Sequence, residues 1–216
     1  MDDLADVADI QVGDLTKDDT IQGMAKSILH EAPAAFSLAG LSMGGIVAME
    51  IIRQAPERVK KLALLDTNPN PPLLEQIKGW ENFIDMATHG KFMDVTEKYL
   101  LPVLIHPDRQ KDLDLIETIR KMAEDVGPKA MINQMKALMT RPDGRENLSA
   151  IECPTLVLLG RQDMLCSMEM HEYLFSNIPN ASLSVIEECG HLSTLERPEE
   201  VTSRLRDWIL QQGYGE

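Results

Sequence analysis

Apolar residues along this chain fall into two kinds of pattern. Short unbroken runs occur at residues 34–39 (Ala-Ala-Phe-Ser-Leu-Ala), 62–65 (Leu-Ala-Leu-Leu), 155–159 (Thr-Leu-Val-Leu-Leu) and 183–186 (Leu-Ser-Val-Ile), with a weaker one at residues 8–12 (Ala-Asp-Ile-Gln-Val) closed by Gly13. Runs of this length, bounded by turn residues, read as strands of a parallel sheet covered on both faces. Elsewhere apolar residues recur every third or fourth position. Ile21, Met24, Ala25, Ile28 and Leu29 form one such stripe, and Val201, Leu205, Trp208 and Ile209 another. That spacing predicts amphipathic helices. A helix after Ser42 runs to Gln54 and stops before Pro56. Another opens at Ser167, an N-cap with Glu169 in its first turn, and ends at Ile178-Pro179. The last begins at Pro198, followed by Glu199 and Glu200. Strands alternating with helices predict an α/β fold with a mostly parallel sheet of five strands.

The alternation is interrupted once. From Thr67 to Ala150 the strand signal vanishes, and Asn68-Pro69-Asn70-Pro71-Pro72 forms a rigid turn. Helical spacing then predicts three or four helices, near Leu73 to Ala87, Met93 to Leu100, Asp112 to Val126 and Pro128 to Thr140, with Gly127-Pro128 marking a stop and a start. The expected organisation is a core of residues 1–67 and 151–216, with residues 68–150 inserted as a helical cap. The methionines of this insertion read as core rather than substrate contacts.

Composition narrows the function. The formal charge of −14 over 216 residues disfavours nucleic acid or an anionic membrane as a partner. Early acids such as Asp2, Asp3, Asp6 and Asp9 read as a solvated surface. Three cysteines, an odd number without C-x-x-C spacing, suit reduced thiols and a cytoplasmic setting, and no secretory leader is expected. Cys166, Cys189, His191 and Asp163 do not have zinc-motif spacing, so no metal or organic cofactor is expected.

Gly40-Leu41-Ser42-Met43-Gly44-Gly45 is the stretch with chemical character. G-x-S-x-G between a strand and a helix has the form of a nucleophile elbow, with glycines that permit a sharp bend and a helix N-terminus that favours developing negative charge. A plain helix-opening turn is the bland reading. A membrane span over residues 34–52 is disfavoured by Glu50 and the central glycines. A serine nucleophile needs a base and an orienting acid, and after such an elbow the chain order is Ser, Asp, His. His191 follows the last strand and Asp163 the one before it, both at strand C-terminal ends where open α/β sheets bind ligands. Asp66, at the end of residues 62–65, is the alternative acid. Met43 N–H is the candidate oxyanion donor. His30, His89, His106 and His171 are assigned no role.

These residues together resemble the α/β-hydrolase fold superfamily, and within it the capped esterase-like group that includes pimeloyl-carrier-protein methyl ester esterases. The likeness rests on the 40–45 motif, Pro56-Glu57-Arg58-Val59 leading to Leu65-Asp66-Thr67, Cys153-Pro154-Thr155-Leu156-Val157 with Gly160 and Asp163, and Gly190-His191 with Glu196-Arg197-Pro198. The resemblance implies Ser42 as nucleophile, Asp163 as acid and His191 as base, acting on a small or medium ester or related acyl compound. A non-catalytic binding module is the alternative, as is carbon–carbon hydrolysis or perhydrolysis on the same residues. The resemblance also implies strands upstream of residue 1, among them one whose following loop carries a second oxyanion donor; an N-terminally truncated version of the fold is expected here. Five strands in sequential order would leave the face opposite the crossover helices to the C-terminal helix alone. Bare apolar strand surface there is expected to drive homo-oligomerisation.

Overall fold

Four of the five expected strands form, and the fifth does not. The computed structural model describes residues 2–211. Its sheet is parallel, in the order β1 (Phe36–Leu41), β2 (Val59–Leu65), β3 (Thr155–Gly160), β4 (Ala181–Ile186). Residues 8–12 are irregular, with Ile10 and Val12 exposed, so the strand expected there is corrected to coil. A strand needs a ladder, and among the described residues the sheet pairs β1 with β2 alone. Just beyond residues 8–12, the carbonyls of Leu15, Thr16 and Lys17 accept from the side-chain amides of Gln134 and Asn133, which belong to the insertion. β1 is therefore an edge strand.

Side chains of β2 alternate between two apolar clusters, as strand geometry requires. Leu62 and Leu64 join Val157 beneath α1 (Ile21–Glu31) and α2 (Met43–Gln54), through Ile21, Met24, Val47 and Ile51. Ala63 and Leu65 face the other way with Leu156 and Leu158. The amphipathic C-terminal helix (Pro198–Leu210) covers them with Val201 and Trp208. The outer strands carry small residues where this second face lies bare: Ser37 and Ala39 on β1, both exposed, and Ser182 and Ser184 on β4. The bare apolar surface expected from topology is thus largely absent.

Between β2 and β3 the insertion is helical. α3 (Leu74–Thr88) packs on α4 (Leu113–Met139), with short helical turns over residues 92–104 between them. Two helices were expected where α4 lies, and their junction survives as a kink at Gly127, whose φ of 77° leaves the helical region just before Pro128. Met131 and Met135 are buried against Trp80, Phe83 and Ile84, a core use of methionine. The last two labelled helices follow the sheet strands they serve: α5 (Met168–Asn177) after β3 and α6 (Pro198–Leu210) after β4.

Candidate active site

Ser42 sits on the turn between β1 and α2 with φ 54° and ψ −117°, a left-handed conformation unusual for a residue with a Cβ. Hydrogen bonds to the end of β2, to the segment after it and within the first turn of α2 hold it there. Its N–H donates to Leu65 O (2.9 Å), and its carbonyl accepts from Gly45 N–H (3.0 Å) and from Thr67 Oγ1 (2.7 Å). The turn is too tight for side chains at two positions. A Cβ on Gly40 would lie 2.3 Å from Gly44 O, and one on Gly45 would lie 2.5 Å from Thr67 Cγ2. Gly44, the glycine that completes the sequence motif, faces open space instead. The steric requirement therefore falls on Gly40 and Gly45.

Two loops converge on this turn. The segment after β4 crosses so near the end of β3 that a Cβ on Gly160 would collide with Gly190 O and Cys189 O. His191, 2 % exposed, thereby places Nε2 2.8 Å from Ser42 Oγ. Its Nδ1 lies 2.8 Å from Oδ2 of Asp163. The other carboxylate oxygen of Asp163 accepts from the N–H groups of Leu165 (2.8 Å) and Cys166 (2.9 Å), which fixes the group in place. Because the carboxylate only accepts, the proton of this pair belongs on Nδ1, and the lone pair of Nε2 faces the serine hydroxyl. Three residues from three strand ends thus form one hydrogen-bonded series. At the first turn of α2, Met43 N–H has no acceptor among the described residues.

Asp66, the alternative acid, does not reach His191. Its carboxylate accepts from Gly160 N–H (2.9 Å) and Ser193 Oγ (2.5 Å), and His191 Nδ1 bonds Asp163 instead. Burial pushes the Asp66 carboxyl up to about 7. His171, assigned no role from sequence, is fully buried. It accepts Thr67 N–H on Nε2 (3.0 Å), while Nδ1 lies 3.0 Å from Ser167 O. That pairing sets its tautomer, and burial holds its pKa down, so it is a neutral brace beneath the residue that bonds Ser42. Neither its lone position on a helix nor its neighbours in sequence signals this.

Asp163, Cys166 and His191 bring one ligand atom each within 4.8 Å of one another. Cys189 lies outside this group, with its Sγ directed at Gly190 O. Burial and the Asp163 charge raise the Cys166 thiol to about 12, so it stays protonated, and the Asp163–His191 pair is already spent on a hydrogen bond. The set suits proton handling better than metal binding. A cavity of about 180 Å³ beside α2, lined by Ile46, Met49, Asn70 and Leu148, includes none of these residues.

A sharp serine turn at a sheet rim, with an imidazole and a carboxylate in series, invites comparison with known hydrolases. The model of the alpha/beta hydrolase family matches residues 1–204. The chain belongs to that family. Among the relatives of this alpha/beta hydrolase is a pimeloyl-[acyl-carrier protein] methyl ester esterase of Nitrosomonas europaea. It is 27% identical over 194 residues, covering 86% of this chain and 75% of the relative. A 2-hydroxy-6-oxononadienedioate/2-hydroxy-6-oxononatrienedioate hydrolase of Burkholderia vietnamiensis is 29% identical over 186 residues, covering 80% and 61%. Of solved structures, a thermophilic esterase from Thermogutta terrifontis superposes with a TM-score of 0.81 at 29% identity, covering 88% of this chain and 72% of that one. An enol-lactonase from Burkholderia xenovorans, at 21% identity and a TM-score of 0.80, shares the fold. Among the described residues, this alpha/beta hydrolase has no helix long and apolar enough to cross a membrane.

Proposed function

We propose that this alpha/beta hydrolase cleaves carboxylic esters or related acyl compounds through Ser42, His191 and Asp163. The observation that carries the reading is the unbroken series Ser42 Oγ–His191 Nε2 and His191 Nδ1–Asp163 Oδ2, both 2.8 Å. Ser42 Oγ attacks the substrate carbonyl while His191 Nε2 takes its proton. Asp163 stabilises the imidazolium that results. The oxyanion is met by Met43 N–H and the N-terminus of α2. Collapse expels the alcohol, which receives the proton from His191. Water, deprotonated by the same imidazole, then releases the acid and restores Ser42. An oxyanion held by Met43 alone would turn over about 10²–10³ slower than one with two donors. The relative in Nitrosomonas europaea, named as a methyl ester esterase, supports esters as the substrate class.

Carbon–carbon hydrolysis by the same residues is the second reading, supported by the name of the Burkholderia vietnamiensis relative. A fluorophosphonate probe tests the common chemistry by intact mass. Wild type should gain one adduct and Ser42→Ala none. A folded wild-type chain that stays unlabelled would leave a binding module as the better account. Turnover of p-nitrophenyl esters against a 2-hydroxy-6-oxo-dienoate then separates the two chemistries.

A further inference from the structure

The loop that carries His191 is fastened to the insertion as well as to the sheet. Glu196, 4 % exposed, lies on the short helix Ser193–Glu196 that follows His191. One carboxylate oxygen accepts Gly190 N–H (2.8 Å), from the residue next to the imidazole. The other accepts His106 N–H (2.7 Å), from the insertion. Around this bridge, Leu192 N–H donates to Leu104 O (3.0 Å), and Arg109 Nη1 donates to the carbonyl of Glu196 (3.0 Å). Leu192 and Leu195 complete an apolar cluster with Leu101, Ile105, Leu115 and Ile119. A Cβ on Gly190 would lie 2.6 Å from His106 N, so the two backbones touch with nothing between them.

We infer that Glu196 is a positioning residue that sets His191 by tying its loop to the insertion, so that displacement of the insertion displaces the imidazole. A carboxylate is the one side chain of this length that offers two acceptor oxygens to two facing N–H donors. Glutamine keeps one acceptor and turns an NH₂ group toward the other donor. Burial also raises the Glu196 carboxyl, which accords with its enclosure. The kinetic part of this inference rests on the hydrolase reading.

The bridge can be cut from either end. Glu196→Gln removes one acceptor. His106→Pro removes the insertion's donor and seats the proline ring where Glu196 and Gly190 press on that nitrogen, so it breaks the junction outright. His106 has φ −54°, near the value proline imposes, and Ile105 before it is extended, as a residue preceding proline must be. His106→Ala keeps the N–H and controls for loss of the imidazole. Two readouts apply: kcat and KM on p-nitrophenyl butyrate, and the downfield proton resonance of His191 Nδ1–H shared with Asp163. Glu196→Gln and His106→Pro should each lower kcat about tenfold, leave KM within about twofold, and broaden that resonance. The double variant should be no worse than the poorer single, because both cut one link. His106→Ala should match wild type. Additive losses, or a wild-type kcat and a sharp resonance in folded His106→Pro, would overturn the inference. Should Glu196→Gln not fold, the His106 pair carries the test alone. A wild-type chain that hydrolyses no ester defeats the ester reading instead, and the resonance then decides for or against the bridge.

Discussion

Asp66 shows how far a residue's place in sequence underdetermines its work. It stands at the end of β2, where an acid could serve a histidine, yet its partners are Gly160 N–H and Ser193 Oγ. Its carboxyl is raised from 3.8 to about 7, chiefly by burial. The unfolded chain therefore releases this proton first, so the group stabilises the fold below about pH 4, loses that contribution as pH rises toward 7, and costs most above it. Asp66 also has φ 46°, a region that asparagine tolerates better than most residues. Asp66→Asn should raise stability by about 1–3 kcal/mol near pH 8 and by little near pH 4, read from denaturant titrations at both. Equal effects at the two pH values would mean that the charge is not the cause. The convergence of Ser42, Asp163 and His191 was legible in the sequence because a glycine turn and the order of three strand ends mark them. The contacts of His171 and Ser193 were not, nor was the bond that joins Glu196, a motif residue, to the insertion. Their partners lie 104, 127 and 90 positions away, and no local pattern encodes a contact made only by folding.

Among the elements, the turn into α2 carries the sharpest steric lesson. The motif draws attention to Gly44, yet Gly45 is the residue pressed against Thr67, whose hydroxyl holds Ser42 O. Gly45→Ala should destabilise by about 1–3 kcal/mol through that collision. Gly44→Ala, in open space on a helix, should be neutral or stabilise by up to about 1 kcal/mol. Chemical denaturation of the two variants checks the contrast, and equal losses would refute it. The strands and helices were readable because their apolar periods differ. Residues 8–12 misled because a run of strand-like composition says nothing about whether a neighbouring backbone is free to pair. Here the chain is tied to the insertion only further on, where Leu15, Thr16 and Lys17 accept from Gln134 and Asn133.

For the whole molecule, the sheet has the expected sequential strand order, with α1, α2 and α5 gathered on one face. What topology could not reveal is that the uncovered flanks would be serine and alanine. The expectation of self-association thus shifts from apolar surface to the outer edge of β1, whose backbone has a partner only in β2 among the described residues. Light scattering across a concentration series should give a mass above the monomer. A monomer at every concentration would remove the expectation.

Among the described residues, three that are not glycine bend the backbone into left-handed territory, and each stands just past a strand: Ser42 after β1, Asp66 after β2, Glu188 after β4. Each such bend raises the energy of the native state by about 1–3 kcal/mol. The rim that gathers Ser42 and His191 is therefore also where the molecule is least at ease. A search for heat-resistant variants would be drawn to these corners. Glu188, exposed and outside the hydrogen-bonded series, is the one that could be relaxed without disturbing it.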